Sequence, residues 1–170
     1  MAFSITNFNS ALNGGIRPNQ FSIEIPSLPT GVVLPNFSIL CKAGAVPGMT
    51  IGTIEVPFRG RRVKFPGDRT FAEWTVTVIN QRDQGIRSGF ETWSNFTNAL
   101  DFTTASISSK TSDNYKVSVD IKQLSDTGAT IRSYQLREAF VVDVGAIELS
   151  YDTTDSIEEF TVTFQYSYFV

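Results

Sequence analysis

Polar and apolar side chains alternate along much of the chain, and this pattern predicts strands. In residues 115–122 and 160–170 nearly every second residue is apolar, and most residues between are polar. Such alternation is typical of antiparallel strands that pack one face and turn the other to solvent or a neighbour. Shorter runs of this kind are 21–25, 74–78, 134–142 and 147–151. The inward residues expected in the last two runs are Tyr134, Leu136, Phe140 and Val142, then Ile147, Leu149 and Tyr151. We therefore expect a mainly β protein.

One segment has helical rather than strand periodicity. From Asp83 to Leu100 the apolar residues are spaced by three or four positions, which predicts an amphipathic helix that covers an open end or face of the sheet. These residues are Ile86, Phe90, Trp93, Phe96 and Leu100. Gly85 and Gly89 weaken the first turn, so we expect the firm part of the helix to begin near Ser88. Core packing explains the aromatic stripe.

Residues 44–70 are unusually rich in turn-forming residues for a segment inside one domain. They hold five of the 12 Gly and three of the seven Pro, together with short apolar stretches. Long stretches of this kind tend to be functional, and the apolar residues predict a partly β arm with little core of its own. Pro66-Gly67 is the expected turn. We expect the arm to pack on a neighbouring subunit and residues 1–170 to form one domain, with the helix at about 86–100.

Charge is divided unevenly along the chain. Between residues 55 and 69 five basic residues stand against two acids, a sum of +3, whereas residues 138–170 hold seven acids and no base. The five basic residues are Arg59, Arg61, Arg62, Lys64 and Arg69. The overall charge of −3 therefore hides +4 before residue 138 and −7 from there on. Opposite charges at two places on one molecule favour head-to-tail association of copies, which yields rings or filaments.

The chain contains no His and one Cys. Because His is the commonest metal ligand and acid–base group near neutral pH, its absence excludes Ser-His-Asp and Cys-His catalysis and His-ligated zinc. Carboxylate-only chemistry and Mg²⁺ or Ca²⁺ chemistry are not excluded, but the absence of His favours a binding or structural protein over an enzyme. A single Cys excludes an internal disulfide, and Cys41 is interpreted as a small residue in a strand. No apolar run approaches the roughly 20 residues of a membrane span, so we expect neither secretion nor membrane insertion.

Three other functions have some support in the residues. The basic cluster at residues 59–69 could neutralise nucleic-acid phosphates, although the net charge is negative. Paired acids at residues 152–159 would suit a glycosidase, which uses two carboxylates. A carbohydrate-binding β-sandwich would need exposed aromatic side chains, and its available tryptophans are Trp74 and Trp93. Both stand where core packing explains them.

Three consecutive motifs span the arm and the helix: VPFRGRRVKFPGDRT at residues 56–70, FAEWTVTVIN at 71–80 and IRSGFETW at 86–93. Together they resemble the tail tube proteins of contractile-tailed bacteriophages. The resemblance is closest from about residue 48 to residue 100. It also includes the strand that begins at Asn19-Gln20-Phe21 and the acidic, strand-rich C-terminal part.

The resemblance implies a fold and an assembly. The fold is an antiparallel β-sandwich or small barrel with one flanking helix. Six copies close into a ring whose sheets join into a continuous barrel around a channel, and the rings stack into a tube inside the contractile sheath. The tube conducts genomic DNA into the host without binding it tightly. The related tube proteins of type VI secretion systems have the same architecture, and a secretion-tube ring is the alternative.

The resemblance also implies partners, a location and an absence of chemistry. The partners are further copies of the chain and the tail sheath, baseplate and terminator proteins. The subunit is expected in the virion tail after synthesis in the host cytoplasm. The family has no catalytic activity and no cofactor.

Candidate residues fall on two kinds of surface. Contact between subunits or rings is expected at Arg59, Arg61, Arg62, Lys64, Arg69, Glu148, Asp152 and Asp155. The channel is expected to be lined by the polar face of a strand, and two sets remain open. One is Thr161, Thr163, Gln165 and Ser167, and the other is Lys116, Ser118, Asp120 and Lys122.

Overall fold

Nine strands and three helices lie in the part of the chain that the structure describes. The structure is a computed structural model and describes residues 4–97 and 115–170. The strands are β1 (Phe21–Glu24), β2 (Cys41–Gly44), β3 (Met49–Phe58), β4 (Arg61–Phe71), β5 (Trp74–Ile79), β6 (Val117–Leu124), β7 (Thr130–Val144), β8 (Glu159–Gln165) and β9 (Tyr168–Phe169). The helices are α1 (Ile5–Leu12), α2 (Phe37–Leu40) and α3 (Gly85–Thr97). The prediction of a mainly β protein is confirmed.

Two antiparallel sheets enclose the core and share strand β7. The first sheet contains β1, β6, β9 and the first part of β7, and the second contains β2, β5, β8 and the last part of β7. The hydrogen-bonded order is β1-β6-β7-β8-β5-β2, with β9 beside β7. Strands β3 and β4 form a separate two-stranded sheet. The antiparallel fold class is therefore confirmed for the subunit.

A β-bulge carries β7 from one sheet to the other. Val119 pairs with Leu136 but Val117 pairs with Ala139, so Ser118 faces two residues of β7. One of them, Glu138, has a φ of 56°. The extra residue moves the inward positions by one, so that Ala139 and Val141 are buried while Val142 is half exposed. The strand lies where it is expected, but the inward placement of Phe140 and Val142 is wrong for this reason.

Inward side chains of both sheets and one face of α3 build the core. From the sheets it includes Ile23, Trp74, Val76, Val78, Val117, Val119, Ile121, Leu136, Phe160, Val162 and Phe164. From α3 it includes Ile86, Phe90 and Trp93, all fully buried. Phe90 and Trp93 pack edge-on against Phe164, with ring centroids 6.1 and 5.8 Å away. The aromatic stripe of α3 is core packing, as expected, and residues 98–100 of the predicted helix lie outside the described residues.

Gly89 allows α3 to approach the preceding loop closely. A Cβ atom added there would lie 2.3 Å from the carbonyl oxygen of Val33 and 2.7 Å from Cδ2 of Leu34. The helix begins at Gly85, so the expectation of a start near Ser88 is wrong. Glycine lowers the helix propensity at this position, but that cost is outweighed because Gly89 lets the helix pack closely against the loop and the core.

Two further expectations differ from the structure. Residues 147–151 form no strand, and Leu149 and Tyr151 are exposed, because no strand in the described chain lies beside this segment to pair with it. The resemblance implied one flanking helix, whereas α1 and α2 are also present. The four-residue α2 buries Phe37 against Phe90, but α1 buries none of its residues.

Candidate assembly surfaces

The hairpin formed by β3 and β4 is here called the arm, Met49–Phe71. Its turn is at Arg59-Gly60, where Phe58 pairs with Arg61 and both turn residues have positive φ, 45° and 84°. Two-residue turns of this geometry match the natural twist of a hairpin. The expected turn at Pro66-Gly67 is wrong, since both residues lie inside β4. There the backbone of Gly67 lies against Gly52, and a Cβ atom would sit 3.2 Å from the Gly52 carbonyl.

The arm has almost no core of its own. Every residue of β3 is exposed, and at about 3.3 Å per residue its ten residues span about 33 Å. The arm is anchored at its base, where the ring of Phe71 packs 5.8 Å from Tyr166 and 5.5 Å from Phe169, between centroids. A lone two-stranded ribbon is only marginally stable in water. The arm therefore needs a surface to pack on.

The two faces of the arm differ in chemistry. Strand register places five apolar side chains on one face: Ile54, Val56, Phe58, Val63 and Phe65, each 44–63% exposed. This set is here called the apolar face. The opposite face carries an ion-pair cluster in which Glu55 contacts Arg62 at 2.9 Å and Lys64 at 3.5 Å. The sequence already showed this alternation, but strand register was needed to assign the faces.

The five basic residues of the arm therefore have different settings. Arg62 and Lys64 pair with Glu55 within the arm. Arg59 is in the turn, with its guanidinium 5.5 Å from the ring centroid of Phe58. Arg61 lies at the tip end of the apolar face, and Arg69 pairs in register with Ile51 near the base.

Residues 145–158 form the second surface, here called the acidic loop. It carries the predicted contact residues Glu148, Asp152 and Asp155, all exposed. Three large apolar side chains of the loop are also exposed: Leu149 (82%), Tyr151 (104%) and Ile157 (72%). The loop holds four acids and no base. The strand predicted at 147–151 would bury Leu149 and Tyr151, whereas the loop exposes both of them beside its acids.

The ends of the acidic loop are held by hydrogen bonds. The amide of Gly145 donates to the carbonyl of Thr161 at 2.7 Å, and Arg87 donates to the carbonyl of Gly145 at 3.0 Å. The backbone amide of Asn80 donates to the carbonyl of Glu158 at 2.8 Å. Its side-chain amide donates to the Glu158 carboxylate at 3.0 Å. No sequence pattern pointed to Asn80, which is buried.

The arm and the acidic loop lie at opposite ends of strand β5. The arm ends at Phe71, and two residues separate it from the start of β5 at Trp74. At the other end, Ile79 pairs with Glu159 and Asn80 holds the loop. Six residues of strand separate the two ends by about 20 Å. One copy therefore presents a basic, apolar extension at one pole and an acidic, apolar loop at the other.

The candidate channel-lining set along β6 lies on the outward face of the first sheet. Its members are Lys116, Ser118, Asp120 and Lys122, which alternate with the buried residues of β6. Lys122 donates to Glu24 at 2.6 Å and thereby holds the pKa of Glu24 below its usual value. Gln135 donates to Asp120 at 2.7 Å. This face is therefore charged and cross-linked by polar contacts.

The same network includes Ser167, although the sequence pattern predicts it on one face with Thr161, Thr163 and Gln165. Its hydroxyl donates to Glu138 at 2.6 Å, and Lys116 donates to the same carboxylate oxygen at 3.1 Å. These two contacts lower the pKa of Glu138, the serine hydrogen bond contributing most. Because β8 ends at Gln165, Ser167 leaves the second sheet and joins the outer face of the first.

The remaining members of the candidate set along β8 lie on the outward face of the second sheet. Thr161, Thr163 and Gln165 alternate with buried residues of β8. Thr163 pairs in register with Thr75, and their hydroxyls are 3.3 Å apart. This face is richer in hydroxyls than in charges. Since the two sheets enclose one core, the two polar sets point away from each other.

The single cysteine and both tryptophans lie in the core. Cys41 is buried in β2, and burial raises its pKa to about 12. Trp74 and Trp93 are buried, so neither offers a platform for a sugar. Within residues 4–97 and 115–170, no three His, Cys, Asp or Glu side chains cluster as metal ligands would. Among the described helices, none has the length and apolar character needed to cross a membrane.

A β-sandwich with a projecting arm and oppositely charged poles defines an assembly protein. The family model described as phage tail tube protein matches residues 15–170. The chain therefore belongs to the phage tail tube protein family. A curated relative, tail tube protein gp19 of Enterobacteria phage T4, is 31% identical over 153 residues, which cover 89% of each chain. The predicted resemblance is confirmed, and the chain is a structural component of a phage tail.

Solved chains from a baseplate, a sheath/tube terminator and a secretion system have a similar fold. A chain in the six-fold symmetrised baseplate of the anti-feeding prophage matches with a TM-score of 0.64 at 10% identity, covering 89% of this chain and 91% of that one. A chain in the sheath/tube terminator of the extracellular contractile injection system PVC also has a TM-score of 0.64, at 13% identity, with coverage of 91% and 94%. A type six secretion system protein reaches 0.51 at 8% identity, with coverage of 88% and 80%. At these identities the likeness is one of fold.

Proposed function

We propose that six copies of this chain close into a ring and that the rings stack into the hollow tube of a contractile tail, through which genomic DNA passes. The observation that carries this proposal is the arm, an extension about 33 Å long with almost no core of its own. An extension that its own subunit leaves uncovered is suited to contact with another copy. The number six is supported by the six-fold baseplate that contains a chain of similar fold.

Ring closure is supported by the edges of the sheets. In the described part of the chain, β1 and β2 stand at the two ends of the strand order. Each edge strand leaves a row of backbone amides and carbonyls without partners in the sheet. Pairing with strands of neighbouring copies would satisfy these groups and close the sheets around a channel.

Stacking is supported by the two poles of the subunit. In this proposal the arm of one copy, which carries Arg59, Arg61, Arg62, Lys64 and Arg69, meets the acidic loop of another, which carries Glu148, Asp152 and Asp155. Because the arm and the acidic loop are at opposite ends of β5, the contact is head-to-tail. Such contacts propagate rather than close on a pair.

The channel wall is one of the two outward faces. A wall of hydroxyls, or one on which Lys and Glu already pair, gives DNA phosphates no strong anchor. A negative net charge acts in the same direction, because repelled phosphates slide rather than bind. Only one face can line the channel, since the two point away from each other.

The remaining proposals concern partners and organisation. The tail sheath, baseplate and terminator proteins are the expected partners. The sheath/tube terminator and baseplate that contain chains of similar fold support this. Residues 1–170 act as one tube domain with the arm as its assembly element, and no catalytic step or cofactor is required.

Electron microscopy of the purified protein tests the assembly. The wild-type chain is expected to form long tubes, and stable isolated hexamers would favour a secretion-type ring instead. The double variant Arg61→Glu, Arg62→Glu is expected to remain folded by circular dichroism but to form no tubes. The matched control Arg17→Glu, Arg82→Glu makes the same charge change outside the arm. Normal tubes from the arm variant, or equal loss in the control, would remove the arm from the mechanism.

A further inference from the structure

The apolar face of the arm has no covering surface within its own subunit. We infer that this face docks on the acidic loop of a second copy and that these apolar contacts, more than the ion pairs of Arg62 and Lys64, hold stacked copies together. The inference rests on the proposed tube assembly and names the contact within it.

The arm itself indicates which side binds. Its apolar face exposes five large side chains in one continuous stripe: Ile54, Val56, Phe58, Val63 and Phe65. On the other side, Arg62 and Lys64 are already paired with Glu55. Leaving such a stripe in water is unfavourable, whereas the ion-pair face is satisfied in the free subunit. The apolar face therefore gains most from a partner.

The acidic loop is the matching surface. Leu149, Tyr151 and Ile157 are largely exposed, and the acids between them have no base in the loop to pair with. The apolar face of the arm ends in Arg61, next to Arg59 in the turn. Both surfaces thus combine apolar residues with one sign of charge, and the signs are opposite. Charge complementarity selects the partner and its orientation, while apolar burial supplies most of the affinity.

The occupant is a second copy rather than the same chain. The arm leaves β5 at Trp74, and the acidic loop is held at Asn80, at the far end of that strand. All five side chains of the apolar face are exposed, so the subunit's own loop does not cover them. In a stack, the arm of one copy reaches the loop of the next without any change in the subunit.

Single substitutions on the two faces of β4 separate apolar docking from charge pairing. Val63→Ser on the apolar face is expected to raise the critical concentration for tube formation by about tenfold to a hundredfold, the range that follows from burying one Val side chain. Lys64→Ser, the adjacent residue on the opposite face, should change it less than threefold. By the same logic Arg61→Glu alone should impair assembly more than Arg62→Glu alone. An equal effect of the two serine variants would overturn the inference.

Cysteine cross-linking tests the partner directly in tubes formed by variants. Val63→Cys with Leu149→Cys should give a ladder of covalent multimers on mild oxidation, and Lys64→Cys with Leu149→Cys should not. The native Cys41 does not compete, since it is buried with a raised pKa. If tubes form and the first pair does not cross-link, or both pairs do so equally, the inference is wrong and the tube assembly stands. If the wild-type chain forms no tubes, the proposed function itself fails.

Discussion

Replacing Gly89 by Ala tests how closely α3 is seated on the core. The added Cβ would lie 2.3 Å from the Val33 carbonyl oxygen and 2.7 Å from Leu34. These distances are about 1 Å short of ordinary van der Waals contact. Because one of the atoms belongs to the backbone, the loop must move, and overpacking of this kind costs up to about 3 kcal/mol. Alanine recovers about 1 kcal/mol in helix propensity. The variant should therefore be less stable by about 2 kcal/mol.

The assay is thermal and urea unfolding at a protein concentration below that of assembly, so that association does not add to stability. A loss of about 2 kcal/mol corresponds to a fall in Tm of about 4–8 °C for a chain of this size. Gly85→Ala is the matched control on the same helix, since its Cβ would meet Pro35 at 3.4 Å and Asp83 at 3.5 Å, which are normal contacts. That control should be neutral or slightly stabilising. If G89A unfolds at the same temperature as G85A or above it, the reasoning about α3 is refuted.

Two other predictions concern the polar faces. In assembled tubes, a bulky maleimide should label only one of Thr163→Cys and Ser118→Cys, because one outward face lines the channel and the other does not; equal labelling would contradict the single-channel arrangement. The pKa of Glu24 and that of Glu138 are held below their ordinary value of 4.5, by Lys122 and by Ser167 with Lys116 respectively. The unfolded chain then binds more protons at low pH, so the stability from these contacts is full above pH 4.5 and is lost as the pH falls through the lower folded values. Thermal melting should show that the double variant Glu24→Gln, Glu138→Gln is less stable than wild type at pH 7 and that the difference shrinks below pH 4; a constant difference would show that the contacts do not act through ionisation.

Much of the sandwich could be predicted because burial on one face leaves a period in the sequence. The alternation in β5, β6 and β8 survives in the structure, and the spacing of Ile86, Phe90 and Trp93 correctly indicated a helix against the core. These patterns depend only on local geometry. They need no knowledge of which strand lies beside which.

Predictions failed where local pattern and tertiary contacts disagree. Glu138 has a positive φ, a backbone conformation that glycine adopts most easily. Because the residue here is a glutamate, nothing in the sequence marked the bulge that turns Val142 outward. Residues 147–151 alternate like a strand but have no neighbouring strand, and a strand without a partner does not form. The turn at Arg59-Gly60 did have a local signal in its glycine, but Pro66-Gly67 was the stronger one.

The charges of the assembly surfaces could be predicted from the sequence, but the chemistry of each face of the arm could not. The cluster from Arg59 to Arg69 and the acids after residue 138 were visible as sums, but sums do not show that Glu55 engages two of the bases. Strand register was needed to see that one side of the arm is apolar. The helical spacing of Ile5, Phe8 and Leu12 was also present in the sequence and would have indicated α1.

The direct continuation of the arm into β5 determines how the subunit bears load. Only two residues separate β4 from β5, and β5 lies between β2 and β8 inside the second sheet. The hydrogen bonds of an antiparallel ladder run perpendicular to the strands. A pull on the arm along β5 therefore strains the bonds on both sides in shear, all at once, instead of unzipping them in turn. The arm is thus rooted in a strand that is hydrogen-bonded on both sides, so a pulling force between copies is distributed over the second sheet.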